Sequence, residues 1–152
     1  MKRTCTAKNF LLCLLVFLGL GALAGGGMLM LCPDGQWMRM PLSMLRYSPF
    51  SNFLIPGIVL FLMLGVTPLL LVIVLQKKPA SVFAEKFNAF KDMHWSWTYT
   101  VYNAILLVLW IQVEMQWLRA VHWIHGFYIL LALAILFTAL LPAVKNLYKK
   151  PS

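Results

Sequence analysis

Polar side chains are confined to a few short segments of this chain, and four long apolar runs lie between them. The runs cover about residues 10–32, 53–75, 98–117 and 121–144. Each matches the roughly 20 residues that a helix needs to cross a bilayer core. The first two carry no charge, the third carries one acid, Glu114, and the fourth ends at Lys145. Runs that are apolar on every face for two dozen residues do not alternate as barrel strands do. In lipid they must pair their own backbone groups, which makes them helices. The expected class is an all-α membrane protein, a four-transmembrane-helix bundle forming one integral membrane domain over residues 1–152.

Composition sharpens this picture. The chain is 62% hydrophobic and 11% charged, yet carries a formal charge of +9. So few charged side chains cannot solvate a soluble domain of 152 residues. High hydrophobicity is also the reverse of a disordered composition. Sorted by position, Lys2, Arg3, Lys8, Lys77, Lys78, Lys86, Lys91, Lys145, Lys149 and Lys150 fall on one side of the four spans. Only Arg39, Arg46 and Arg119 fall on the other. The positive-inside rule then predicts cytoplasmic N- and C-termini. The charge reports orientation and contact with lipid headgroups, and it implies no nucleic-acid partner. Lys2-Arg3, the apolar run and Ala22-Leu23-Ala24 also resemble a cleavable signal. The run continues to Cys32, longer than a usual signal core, so the first span is expected to be retained.

The connections carry their own signals. Pro33-Asp34-Gly35 predicts a turn, and the apolar segment 37–45 after it is expected to lie along the outer interface. Either Ser48-Pro49 or Asn52 caps the second helix. Pro68 should bend that helix, with Thr67 reaching back to a freed carbonyl. In the cytoplasmic loop, Phe83, Phe87, Phe90, His94 and Trp97 recur at helical spacing while Glu85, Asn88, Lys91 and Asp92 fall mainly elsewhere. This predicts a short helix lying on the inner leaflet. Gly21 and Gly25, reinforced by Ala22 and Gly26, form small-xxx-small pairs that admit a neighbouring helix, from the same chain or from a second copy.

Candidate chemistry is sparse. There is no phosphate-binding loop, paired-cysteine motif or nucleophile elbow, and Cys5, Cys13 and Cys32 each stand alone. A carboxylate within a span points to function by default. Glu114 shares a helical face with Tyr99, Asn103 and Trp110. Beyond the next turn come Arg119, His122 and His125. Together with Glu114 these make a candidate ligand, proton-coupled, or Zn²⁺ or Cu²⁺ site. The plainer reading is an interfacial Glu114–Arg119 pair with both histidines hydrogen-bonded near headgroups. Haem is not expected, because His94 lies at the opposite membrane face from His122 and His125, and no cofactor is otherwise predicted.

The segment 41–57, PLSMLRYSPFSNFLIPG, resembles a group of uncharacterised small bacterial four-span inner-membrane proteins that share a PLSxL loop followed by S/T-P-F-x-x-F-x-x-P-G. The resemblance is clearest over about residues 25–70. It implies a bacterial inner-membrane location and a four-helix topology, and no activity. The expected function is a non-enzymatic bundle that binds lipid, a membrane-protein partner or a second copy. The alternative is a small transporter or a metal- or proton-linked protein using Glu114, His122 and His125, with Asn103 deeper along the route.

Overall fold

Apolar runs with no polar competitor for their backbone groups fold into long helices. A computed structural model of the chain describes residues 2–119 and 122–151. It is 79% helical, without strands among those residues. Helix α1 spans Lys2–Leu31, α2 Leu54–Lys77, α3 Val82–Lys86, α4 Trp95–Leu118, α5 Trp123–Leu140 and α6 Pro142–Lys145. Helices α1, α2, α4 and α5 are long and apolar enough to cross a membrane.

These four helices form a bundle in which α1 lies between α2 and α5, and α4 closes the ring on the other side. Its core is the inward stripe of each helix: Leu11, Leu15 and Leu18 from α1, Leu71 and Leu75 from α2, Trp97 and Leu107 from α4, Ile135 from α5. Only 28–33% of the residues in each apolar stretch are buried within the bundle. The remainder, including Phe17, Leu70, Leu109, Leu130 and Phe137, forms an apolar outer surface. A bilayer solvates such a surface, and between helices in lipid the attraction comes from close packing and hydrogen bonds.

Close packing is most visible between α1 and α2. A Cβ on Gly26 would fall 2.7 Å from Phe61 N and 2.8 Å from Gly57 O, and one on Gly19 would fall 3.1 Å from Gly65 O. The two backbones therefore meet through Gly26 with Gly57 and Gly19 with Gly65. Gly21 faces α5, where the Tyr128 hydroxyl occupies the space of a side chain, and Gly25 has room at 3.7 Å from Leu60. The glycines serve contacts within one chain, and Gly26 is the tightest of the three singled out by sequence.

Between Leu60 and Val66, α2 widens into a π-helical turn. Leu62 O accepts from both the backbone N–H and the hydroxyl of Thr67, the latter at 3.0 Å. Thr67 thus reaches back, but to a carbonyl that already accepts its own N–H and not to one freed by Pro68. Asn52 Oδ1 accepts from Leu54 N at 3.1 Å in a turn just ahead of this helix, while Ser48 Oγ accepts from Phe50 N at 3.2 Å within the preceding loop. Neither expected residue is the cap: the helix opens on Phe53, whose carbonyl accepts from Gly57 N at 2.9 Å and whose side chain makes no capping bond. The segment after the Cys32–Gly35 turn forms two 3-10 turns, Gln36–Met38 and Leu42–Tyr47, with Trp37 exposed and Leu45 buried.

Two further expectations need correction. The apolar pattern extends the fourth span to about residue 144, but α5 stops at Leu140. Pro142 has no N–H and forces Leu141 out of the helical region, to ψ 134°. Its expected start near Val121 falls outside the described residues. The surface helix read across residues 83–97 is also shorter: α3 ends at Lys86. The reason is Asn88, which is buried. Its Nδ2 donates to Met93 O (2.8 Å) and Glu85 Oε2 (3.0 Å), and its Oδ1 accepts from Thr98 Oγ1 (2.6 Å) and Phe90 N (3.1 Å). Four satisfied bonds fold the chain into a turn where a helix would have left Asn88 facing solvent.

The C-terminal segment closes this end of the bundle. Tyr148 is buried and donates to Leu75 O at 3.0 Å, meeting a carbonyl that the end of α2 leaves free. Burial pushes the Tyr148 pKa up to about 12, which keeps the donor proton in place. Lys150 Nζ reaches Glu85 Oε2 at 2.7 Å, the ion pair found among the described residues. Trp97 Nε1 donates to Ala139 O at 2.8 Å and ties α4 to α5.

Candidate functional site

The far end of the bundle, away from the termini, does not close so completely. The small residues that let helices touch elsewhere, Gly21, Ala22 and Gly25, here leave a cavity of about 240 Å³ among α1, α2, α4 and the start of α5. That is less than the roughly 300–1,000 Å³ of sites for drug-sized ligands, and suits a small molecule or the end of a chain. Leu18, Leu60, Leu64 and Leu107 form much of its wall, and Met38, Met40 and Met44 from the first loop lie over it. Methionine adapts its shape to irregular contents.

Polar groups enter this apolar wall from one side. Glu114 and Trp110 project from successive turns of α4, and His122, His125 and Tyr128 line the cavity from the α5 side. The sequence had grouped Glu114, His122 and His125, and the fold brings these three to the same cavity. Trp110 Nε1 is buried and makes no well-formed hydrogen bond; the Glu114 carboxyl, one turn on, is the acceptor it interacts with. His125 Nδ1 accepts from His122 N at 3.1 Å, and His125 N donates to His122 O at 3.0 Å, closing the first turn of α5. Nδ1 is therefore an acceptor, and the His125 proton sits on Nε2.

Two other candidates lie elsewhere. Arg119 stacks over the Tyr47 ring, with its guanidinium carbon 3.7 Å from the ring centroid, and it forms no ion pair with Glu114. Asn103 lines a separate shallow groove between α2 and α4 with Met63, Thr67 and Tyr99. Its Nδ2 donates to Met63 O at 3.1 Å, and its buried Oδ1 is unpaired. The polar face read along α4 is thus divided between two hollows.

No family model, curated protein or solved structure matches the chain. What the site can do must come from its own chemistry. Among the described residues, no group of three His, Cys, Asp or Glu side chains lies close enough to hold a metal ion. The Nδ1 of His125 is already engaged, which leaves fewer free donors for one. The cavity offers instead an apolar body, a carboxylate acceptor and an indole donor. Sequence reasoning missed Tyr128 and the loop methionines. Tyr128 stands three residues beyond His125, a spacing that puts it on the same face, whereas the methionines reach the cavity only through the 3-10 turns.

Cys32 lies beside the first turn, outside the cavity. Its thiol donates to Asp34 Oδ1 at 2.8 Å. That bond raises the thiol pKa and lowers that of the carboxyl.

Proposed function

We propose that this chain is a non-enzymatic, multi-pass protein of a bacterial inner membrane, with both termini cytoplasmic, that binds a small amphiphile in the cavity beside Glu114. The carrying observation is the buried Trp110 indole N–H, which makes no well-formed hydrogen bond, beside the Glu114 carboxyl in a mainly apolar wall that His122, His125 and Tyr128 also enter. A buried donor without a well-formed hydrogen bond is unfavourable by up to about 1–3 kcal/mol, and a ligand acceptor relieves it. A donor on the ligand, such as an ammonium or hydroxyl, meets Glu114, and an apolar tail fills the leucine-lined remainder. The basic residues at the terminal end support the orientation, and the 41–57 segment supports the bacterial assignment.

The test is titration of purified protein with octylamine, octanol and octanoate, following Trp fluorescence. Saturable binding of the amine or alcohol, weakened about tenfold or more by Glu114→Gln and lost in the cavity-filling Gly25→Leu, is the expected result. Equal, unsaturable responses of the wild-type protein and both variants would refute the reading. A proton-linked transporter is the second reading, favoured by a membrane-embedded carboxylate that shares its cavity with two imidazoles. Substrate-dependent proton movement in proteoliposomes, abolished by Glu114→Gln, distinguishes it from simple binding.

A further inference from the structure

At the terminal end, a cleft of about 600 Å³ opens between the turn after α2 and the C-terminal segment, lined by Lys78, Ser81, Glu85, His94 and Lys150. Its polar groups are already positioned. Lys78 Nζ donates to Leu147 O at 2.6 Å and lies 4.8 Å from the Tyr148 ring centroid, which leaves two of its N–H groups to spare. Ser81 Oγ accepts from Ala84 N at 3.3 Å and keeps its own proton to donate. Lys150 and Glu85 neutralise one another, so Lys78 is the uncompensated charge of the cleft. The cleft therefore favours an anion.

Depth and rim indicate which anion. Lys78 directly follows the last residue of α2, where the apolar stretch ends, so the cleft lies at headgroup level. Beside it on α3, Val82 is 93% and Phe83 76% exposed, and these side chains are placed to enter the acyl region next to the bound group. We propose that this cleft holds the phosphate headgroup of an anionic phospholipid, with Lys78 and Ser81 as its donors and Val82 and Phe83 against its chains.

Purified protein in micelles containing equimolar phosphatidylglycerol and phosphatidylcholine, followed by quantification of the co-eluting lipid, tests this. Wild-type protein should enrich phosphatidylglycerol about fivefold, the equivalent of one lysine at the headgroup surface. Lys78→Gln should reduce the enrichment below about twofold, and Lys78→Arg should retain it. Lys86→Gln, an exposed lysine outside the cleft, should leave it unchanged. Equal enrichment in Lys78→Gln, or an equal loss in Lys86→Gln, overturns the site in favour of diffuse attraction. Displacement of the lipid by millimolar inorganic phosphate overturns the lipid assignment. If Lys78→Gln does not fold, Val82→Asp, at an exposed position, must abolish the enrichment, and its retention refutes the proposal.

Discussion

Asn103 on α4 donates to the Met63 carbonyl on α2, the carbonyl that Pro68 leaves without a helical N–H donor. In the π-helical turn Thr67 N bonds to Leu62 O, five residues back. The same register would pair residue 68 with Met63, and proline has nothing to give. A side chain from the neighbouring helix supplies the missing proton. Asn103→Ala should therefore destabilise the bundle by about 1 kcal/mol, within the range of interhelical hydrogen bonds in membranes. Pro68→Ala restores a backbone donor, so the asparagine should matter less in that background. A double-mutant cycle in micelles measures the coupling. Strict additivity would show that the two residues act independently.

The glycines of α1 differ in what surrounds them, and substitutions should separate them. Gly26→Ala forces a methyl against Phe61 N and Gly57 O, backbone atoms that cannot swing aside. Overpacking of this kind destabilises by about 1–3 kcal/mol. Gly27→Ala meets nothing closer than 3.8 Å, and Gly126→Ala in α5 meets nothing within 4 Å. Both should be neutral or stabilising, by up to about 1 kcal/mol of helix propensity. Thermal unfolding of the three variants in one detergent checks the order, and a tolerated Gly26→Ala would remove the argument for backbone contact there.

The two histidines beside the cavity are unequal as well. His125 is buried and its ring accepts the His122 N–H, whereas His122 is exposed and joins the turn through its backbone. His125→Ala should destabilise by about 1 kcal/mol, the usual effect of losing a helix cap, and His122→Ala by less. Denaturant titration in micelles gives both values. Comparable losses would mean that the imidazole of His122 has a structural partner of its own.

How much could be read in advance follows from which forces decide each feature. The four spans were legible because length and hydropathy alone select a membrane helix. Their boundaries shifted wherever a single residue had the final word. Pro142 stops α5 early, and the N-terminal helix begins at Lys2, ahead of its apolar run. Glu114, His122 and His125 could be grouped because residue types and helical spacing are local. Asn103 could not be assigned to the α2 groove, since its partner is a backbone carbonyl freed 40 positions away. Asn88 was misplaced for a similar reason. Periodicity sees a polar side chain and sends it to solvent, but its four partners exist only once the loop and α4 have come together.

Those partners make the terminal end sensitive to acid. Burial alone would raise the Glu85 pKa, but hydrogen bonds from Lys150 and Asn88 outweigh it and hold the carboxyl below its ordinary 4.5. A depressed carboxyl stabilises the fold above pH 4.5 and loses that contribution as pH falls through its lowered value. Burial lowers the His94 pKa from 6.5, partly opposed by Glu85, so this base contributes most when neutral and begins to lose its contribution below about pH 6.5. Both groups act in one direction: acid should release the C-terminal segment in two steps. The Glu85–Lys150 pair is about a third exposed, so its share is at most about 1 kcal/mol and the effect should stay local. Backbone exchange at Lys150, whose N–H bonds Asp92 O at 2.9 Å, reads it directly once corrected for the intrinsic pH dependence of exchange. Glu85→Gln should flatten the lower step and leave the upper one. Protection of Lys150 that stays constant from pH 7 to 4 would show that the tail is held by contacts such as Tyr148 to Leu75 O and not by Glu85 or His94.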